Sequence, residues 1–170
     1  SMDRLSITVM HLIADLGYAG AQEGVRILVK HLAGAGIRPI VVTFRDGPLR
    51  QDIEALGVTV VVLSPRKHKS INVPGFLFDM FRIRREINDI IRTESVDIIQ
   101  THLLGILDRL VVRLKTDNPD LRVLLTIHTA KFMPEVGYSF FELRSLARRW
   151  LFHRTARQSD GLIAVSKEVN

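Results

Sequence analysis

Six short runs of branched apolar residues recur along the chain, at 6–13, 38–44, 58–64, 96–102, 122–128 and 161–166. Between them lie stretches whose apolar residues return at helical spacing. A run such as "RPIVVTF" is apolar on consecutive residues rather than on alternate ones, which is the pattern of a strand covered on both faces. After the first run, Ala21, Val25, Leu28, Val29 and Leu32 form one helical stripe, and Gly34 and Gly36 stop it. "DGPLRQDIEALG" reads as a short helix, with Pro48 suited to its first turn and Gly57 to its end. Longer helices are expected over 76–94, over 103–115 before Asn118-Pro119 breaks the pattern, and over 139–157. Strands alternating with helices require crossover connections and hence parallel strands. The expected fold is α/β: a Rossmann-like, doubly wound, mostly parallel sheet of six or seven strands between two helical layers. Right-handed crossovers give the order 3-2-1-4-5-6, with ligands at the carboxyl ends of the strands.

With 170 residues, 46% hydrophobic and 25% charged, the chain can bury one good core, and a single domain over 3–170 is expected, Ser1-Met2 being read as an expression remnant. The absence of cysteine excludes disulfides and thiolate metal sites and permits a reducing compartment. No apolar run approaches the roughly 18 residues of a membrane-spanning helix, and no secretory pattern opens the sequence. Lys and Arg outnumber Asp and Glu by 24 to 18, so the surface favours anionic partners. Much of the excess sits in "LRSLARRWLFHRTAR" (143–157), where Arg144, Arg148, Arg149, Arg154 and Arg157 occur without an acidic residue. Leu143, Leu146, Ala147, Trp150 and Leu151 form a stripe there, so the segment reads either as a helix packed on the sheet with a solvated basic face or as a surface for anionic lipid headgroups. "GFLFDMFRIRRE" (75–86) is a second membrane candidate, because Phe76, Phe78 and Phe81 exceed what one helix stripe would bury. Nucleic acid is disfavoured: no recognition-helix, RNA-binding-strand or zinc-finger pattern accompanies the charge.

The strand ends carry the polar residues. Asp15, Gly17 and Gly20 follow the first run, Thr101 and His102 close the fourth, His128, Thr129 and Lys131 come off the fifth, and Ser166 ends the sixth. Gly17 and Gly20 serve either turn geometry alone or the approach of a phosphate to a helix N-terminus. The spacing matches neither G-x-G-x-x-G nor the P-loop, and "VVTFRDG" puts Arg45 before Asp46 where a dinucleotide site would want an acidic strand end. His102 alone reads as a structural hydrogen-bonding group or as a ligand contact. At His128, an imidazole, a hydroxyl and a cation leave one strand together, a set suited to gripping a hydroxylated or phosphorylated ligand. No metal-ligand spacing and no Ser-His-Asp arrangement is present.

Four pieces in order, "GAQEGVRILVKHLAGAGIRPIVVTF…GPLRQDIEALGVTVVVL", "VDIIQTH", "LLTIHTAKF" and "SDGLIAVSKEV", make the chain resemble the N-terminal domain of the retaining glycosyltransferases of family four, which have the two-domain GT-B architecture. The resemblance implies a cytoplasmic enzyme of cell-envelope or polysaccharide synthesis, with peripheral contact at the inner face of the membrane open. It implies no cofactor and no metal, a nucleotide-diphosphate sugar as co-substrate, and a glycan or lipid-linked acceptor. The family's glycine turn matches Ala19-Gly20-Ala21-Gln22, putting Gly20 near the donor diphosphate; Ala19 replaces a glycine, and Gln22 stands where Glu is common. His128 matches the catalytic histidine that reaches the transferred sugar or acceptor, Thr129 and Lys131 fall among acceptor-binding groups, and His102 matches a polar strand end on the same cleft. In "SDGLIAVS" Ser159 replaces a common Ala, with Asp160 and Ser166 in register. Such enzymes carry a second, nucleotide-sugar domain with a pair of glutamates, which is expected to lie outside these 170 residues, leaving this piece inactive alone. The alternative is a non-catalytic Rossmann-like module binding a phosphorylated small molecule or a partner chain.

Overall fold

A computed structural model describes residues 6–17, 20–63, 73–102, 107–128, 154–155 and 157–165. In chain order it gives β1 (Thr8–Asp15), α1 (Gly20–Gly34), β2 (Arg38–Arg45), α2 (Leu49–Glu54), β3 (Thr59–Val62), α3 (Val73–Thr93), β4 (Ile98–His102), α4 (Leu107–Asp117), β5 (Arg122–His128) and β6 (Gly161–Val165). The strands form one sheet in the order β3-β2-β1-β4-β5-β6. Every pairing is parallel. Order and direction are those expected from the alternation of apolar runs and helices.

Both sheet faces are covered, which is why the strands read as apolar throughout. Met10, Leu12, Ile40, Val42, Ile99 and Val123 pack with Ile83 and Ile87 of α3 and Val111 and Leu114 of α4. On the opposite face Ile13 and Val41 meet Val25 and Val29 of α1 and Leu49 and Ile53 of α2. Each such side chain, fully buried, contributes about 1.5–3 kcal/mol. Helix ends follow local chemistry. Pro48 caps α2 rather than lying inside its first turn, and the chain leaves this helix through Gly57 at φ +78°, a left-handed angle that favours glycine. Pro74 sits in the first turn of α3, where its missing N–H would have had no helical partner, so that helix starts before the expected residue 76.

The N-terminal edge of the sheet is stitched by two aspartates. Asp97 Oδ2 accepts the Thr8 N–H at 2.9 Å, tying β4 to β1. Asp160 Oδ2 accepts the Val123 N–H at 2.8 Å, and its Oδ1 lies 2.6 Å from Lys115 Nζ and 3.4 Å from Arg122 Nη1. Burial raises the Asp160 pKa, but Lys115, the Val123 N–H and Arg122 together outweigh it and hold the carboxyl below its usual range. A third latch pairs Arg38 with Glu94. On the helical layer, Arg84 makes a bidentate pair with Asp117 (both contacts 2.7 Å), fixing α3 to α4.

Candidate functional site at the carboxyl edge of the sheet

The opposite edge is where β1, β4 and β5, adjacent in the sheet, deliver the residues singled out by sequence. Beyond β1 the chain turns sharply into α1, and Asp15 organises the turn. Its Oδ1 accepts the Gly17 N–H at 3.0 Å and the Gln22 Nε2–H at 2.9 Å, while Arg45 Nη2 lies 3.5 Å from Oδ2. A Cβ on Gly17 would sit 3.2 Å from that Asp15 oxygen, so the glycine leaves room for the carboxylate, and its φ is not left-handed. The Gln22 departure acquires a reason here: an amide donates to Asp15, whereas a carboxylate at that position would repel it. Gly20 is the first residue of α1, at the helix end that presents unpaired N–H groups and partial positive charge.

A second turn presses against the first. Leu49 N–H donates to Leu16 O at 3.1 Å, and a Cβ built on Gly47 would fall 2.4 Å from Leu16 C and O and 2.9 Å from Gly17 N. No L side chain fits there without moving backbone, so Gly47 is what allows the start of α2 to dock on the β1–α1 turn. The sequence reading treated it only as part of a helix start.

His102 ends β4 and is 8% exposed. Its Nε2 lies 3.2 Å from Nδ1 of His11, a residue of mid-β1 that is fully buried, with ring centroids 5.5 Å apart and planes tilted by 34°. His11 was not foreseen; the available signal was one titratable residue inside the apolar run "TVMHLIA". Burial, and then the neighbouring His102, push its pKa down to about 3, so it is neutral at physiological pH. Beside this pair Gln100 Nε2–H donates to Thr126 Oγ1 at 2.9 Å, continuing a polar row from β1 across β4 to β5. Three side-chain atoms of this region, His11 Nε2, Gln22 Oε1 and Thr101 Oγ1, are buried without a hydrogen-bond partner among the described residues.

His128 is the last residue of β5, its backbone in register with Val165 of β6 and two positions beyond Thr126, the register partner of His102. Gly20, His102 and His128 therefore belong to three neighbouring strand-to-helix junctions or strand ends on one edge. Thr129, Lys131, Ser166 and most of the 139–157 segment lie outside the described residues. Of the surface features, Phe78 and Phe81 of α3 are exposed, Phe81 by 67%, as two of the three phenylalanines were expected to be, and Leu77 beside them is exposed too; the Phe76 side chain lies outside the described residues. Arg109 of α4 has its pKa lowered by burial and by the like charges of Arg154 and Arg113, so three cations crowd together on that side. No described helix is long and apolar enough to cross a membrane.

Comparison with known proteins agrees with this architecture. The sequence model of Glycosyltransferase Family 4 matches residues 18–170. Among solved structures, the chain is similar to sucrose-phosphate synthase from Thermosynechococcus elongatus (TM-score 0.64, 15% identity, 91% of this chain and 41% of that one). It is also similar to a glycosyltransferase from Rickettsia africae (0.58, 17%, 96% and 44%). A third is HepE from Anabaena, solved in complex with UDP and glucose (0.56, 12%, 96% and 45%). At these identities the likeness is one of fold, and the chain spans less than half of each of these relatives. No curated protein matches it.

Proposed function

The chain belongs to Glycosyltransferase Family 4, and from that premise we propose that it is the acceptor-side half of a retaining GT-B enzyme that moves a hexosyl group from a nucleotide-sugar to a hydroxyl of a glycan or lipid-linked acceptor. The observation that carries the reading is the gathering of the α1 N-terminus, His102 and the β5 end bearing His128 on one edge. Gly20, with the N–H groups of the first α1 turn, faces the donor diphosphate, where a fixed dipole stabilises charge developing on the leaving group. Asp15, Gln22 and Gly17 hold that turn in shape. His128 acts at the reacting centre, and Thr129, Lys131 and His102 hold acceptor or sugar hydroxyls. The nucleotide and the remaining charged groups belong to a second domain outside these residues, which closes over this edge. No metal or cofactor enters the reading; the nucleotide-sugar is a co-substrate.

The setting proposed is cytoplasmic, in cell-envelope or polysaccharide synthesis, with the protein touching the inner face of an anionic membrane. The crowding of Arg109, Arg113 and Arg154 and the exposure of Leu77, Phe78 and Phe81 support that contact. Co-sedimentation that is equal with neutral and anionic vesicles would remove it.

Two measurements test the central reading. The 170-residue chain, offered a panel of radiolabelled nucleotide-sugars, should transfer nothing; measurable turnover contradicts the two-domain scheme. In the chain extended through its second domain, His128→Ala should lower kcat by about a hundredfold or more while the melting temperature stays within a few degrees. An unchanged rate returns His128 to the structural residues.

A further inference from the structure

Asp15 and Arg45 end the adjacent strands β1 and β2 and are partners in register. The chain beneath each is held firmly. Asp15 Oδ1 accepts from the Gly17 N–H and the Gln22 Nε2–H, and the buried Thr43 donates its hydroxyl to Arg45 O at 2.8 Å. The two side chains, by contrast, are poorly matched to each other. Arg45 Nη2 stops 3.5 Å from Asp15 Oδ2, beyond ordinary hydrogen-bond length, and among the described residues neither that oxygen nor the guanidinium has another partner. Other ion pairs of the chain are closed: Asp117 grips Arg84 with two contacts of 2.7 Å, and Asp46 and Glu54 each hold Arg50 at 3.0 Å. The Arg45 side chain is 75% exposed and that of Asp15 33%, so a ligand can reach both, and parting so loose a pair costs the fold little.

What stands open at this turn selects a chemistry. Asp15 Oδ2 is an acceptor without a hydrogen bond, Gln22 Oε1 in the same turn also lacks a donor, and the Arg45 fork has donors to spare. A phosphate brings acceptors alone and is repelled by Asp15; an ammonium brings donors alone and is repelled by Arg45. A neutral hydroxyl donates and accepts at once.

We propose that Asp15 and Arg45 form a hydroxyl-binding clamp for a neutral polyol, a sugar ring of the acceptor, on the β2 side of the β1–α1 turn. One ring hydroxyl donates to Asp15 Oδ2, and it or its vicinal neighbour accepts from the Arg45 guanidinium. The clamp rests on the proposed function in taking this edge as the acceptor side, and it adds a specificity: the group read here is hydroxylated and uncharged, unlike the diphosphate assigned to Gly20. Register pairing of the two strand ends keeps the clamp on rigid elements. From the next residue an open groove of about 800 Å³ begins, bordered by Asp46, Gly47 and Arg50. Arg50 is already bound by Asp46 and Glu54, so the groove supplies room for the rest of the acceptor rather than a second cation to bind it.

The experiment titrates the nitrogen-15-labelled 170-residue chain with methyl α-glucoside, methyl α-mannoside, methyl α-galactoside and myo-inositol, and with glucosamine and inorganic phosphate as charged probes, following the Gly17 N–H and Arg45 Nε–H signals. At least one neutral polyol should shift both signals saturably. Asp15→Asn keeps an oxygen for Gly17 and Gln22 but turns the open acceptor into a donor, and Arg45→Gln removes the cation; each should weaken that binding by about tenfold or more. Because the Arg45 side chain is exposed, Arg45→Gln carries the test should Asp15→Asn disturb the turn. Absence of a shift with every polyol, tighter binding of phosphate or glucosamine than of any polyol, or binding that survives both substitutions overturns the proposal. The titration needs neither a nucleotide nor a second domain, so the clamp can stand where transfer fails, whereas an active transferase whose chain binds no polyol here loses this inference alone.

Discussion

At the N-terminal edge of the sheet, Asp97 and Asp160 each accept a backbone N–H from a neighbouring strand, and Asp160 is also paired with Lys115 and Arg122. At the C-terminal edge and just below it, Asp15 serves a turn rather than a strand junction, and His11, Gln22 and Thr101 keep buried polar atoms for which the described residues offer no partner. Both edges are made by the same six strands. They differ in whether the polar inventory is closed. A closed inventory spends every donor and acceptor on holding the strands together; an open one leaves groups whose partners must come from elsewhere, and in a parallel α/β sheet that is the edge where ligands bind.

The contrast can be broken at several points. The largest effect is expected from Gly47→Ala, whose Cβ would overlap the Leu16 backbone; unfolding in urea should report a loss of about 3 kcal/mol, and a loss below 1 kcal/mol would mean that the two turns are not interlocked. Next comes Asp160→Ala at the closed edge, which strands the Val123 N–H and the Lys115 ammonium and should cost about 2–3 kcal/mol. Because the Asp160 carboxyl titrates below its normal value, its contribution is complete at neutral pH and lost only as pH falls below about 4. His11 gives a comparable effect in a different window. Its folded pKa of about 3 lies below the unfolded value of 6.5, so the unfolded chain binds the extra proton between them and stability falls as pH drops through that range. From pH 6.5 to 5 the wild type should lose about 1.6 kcal/mol more than His11→Leu, as read from paired urea titrations. The smallest change is expected from Gln22→Glu, which sets a second carboxylate beside Asp15. A loss of about 1 kcal/mol at pH 7, relieved on acidification, would sharpen the view that Asp15 needs a donor there.

The layered sheet, its strand order and the placing of Gly20, His102 and His128 along its carboxyl edge were legible because each depends on a property written along the chain. Consecutive Ile and Val in "RPIVVTF" point to cover on both faces, and Gly34, Gly36 and Gly57 mark where helices stop. Gly20, His102 and His128 were legible as strand-end residues for the same reason. What could not be read depends on contacts between segments distant in sequence. Nothing in "RDGPLR" says that Gly47 touches Leu16, and nothing in "VMHLIA" says that His11 faces a histidine 91 residues later. Gln22 looked like a weakening of a motif until the Asp15 carboxylate was found against it. Composition and period report what one residue prefers; a clash or a shared proton belongs to two.

The packing of Gly47 on Leu16 bears on how such a scaffold diversifies. Since the segments after β1 and β2 abut backbone to backbone, a lengthened or recoloured loop at one of them would have to be matched by a compensating change at the other. Change after β1 is thereby tied to change after β2, so that the two turns vary as one unit.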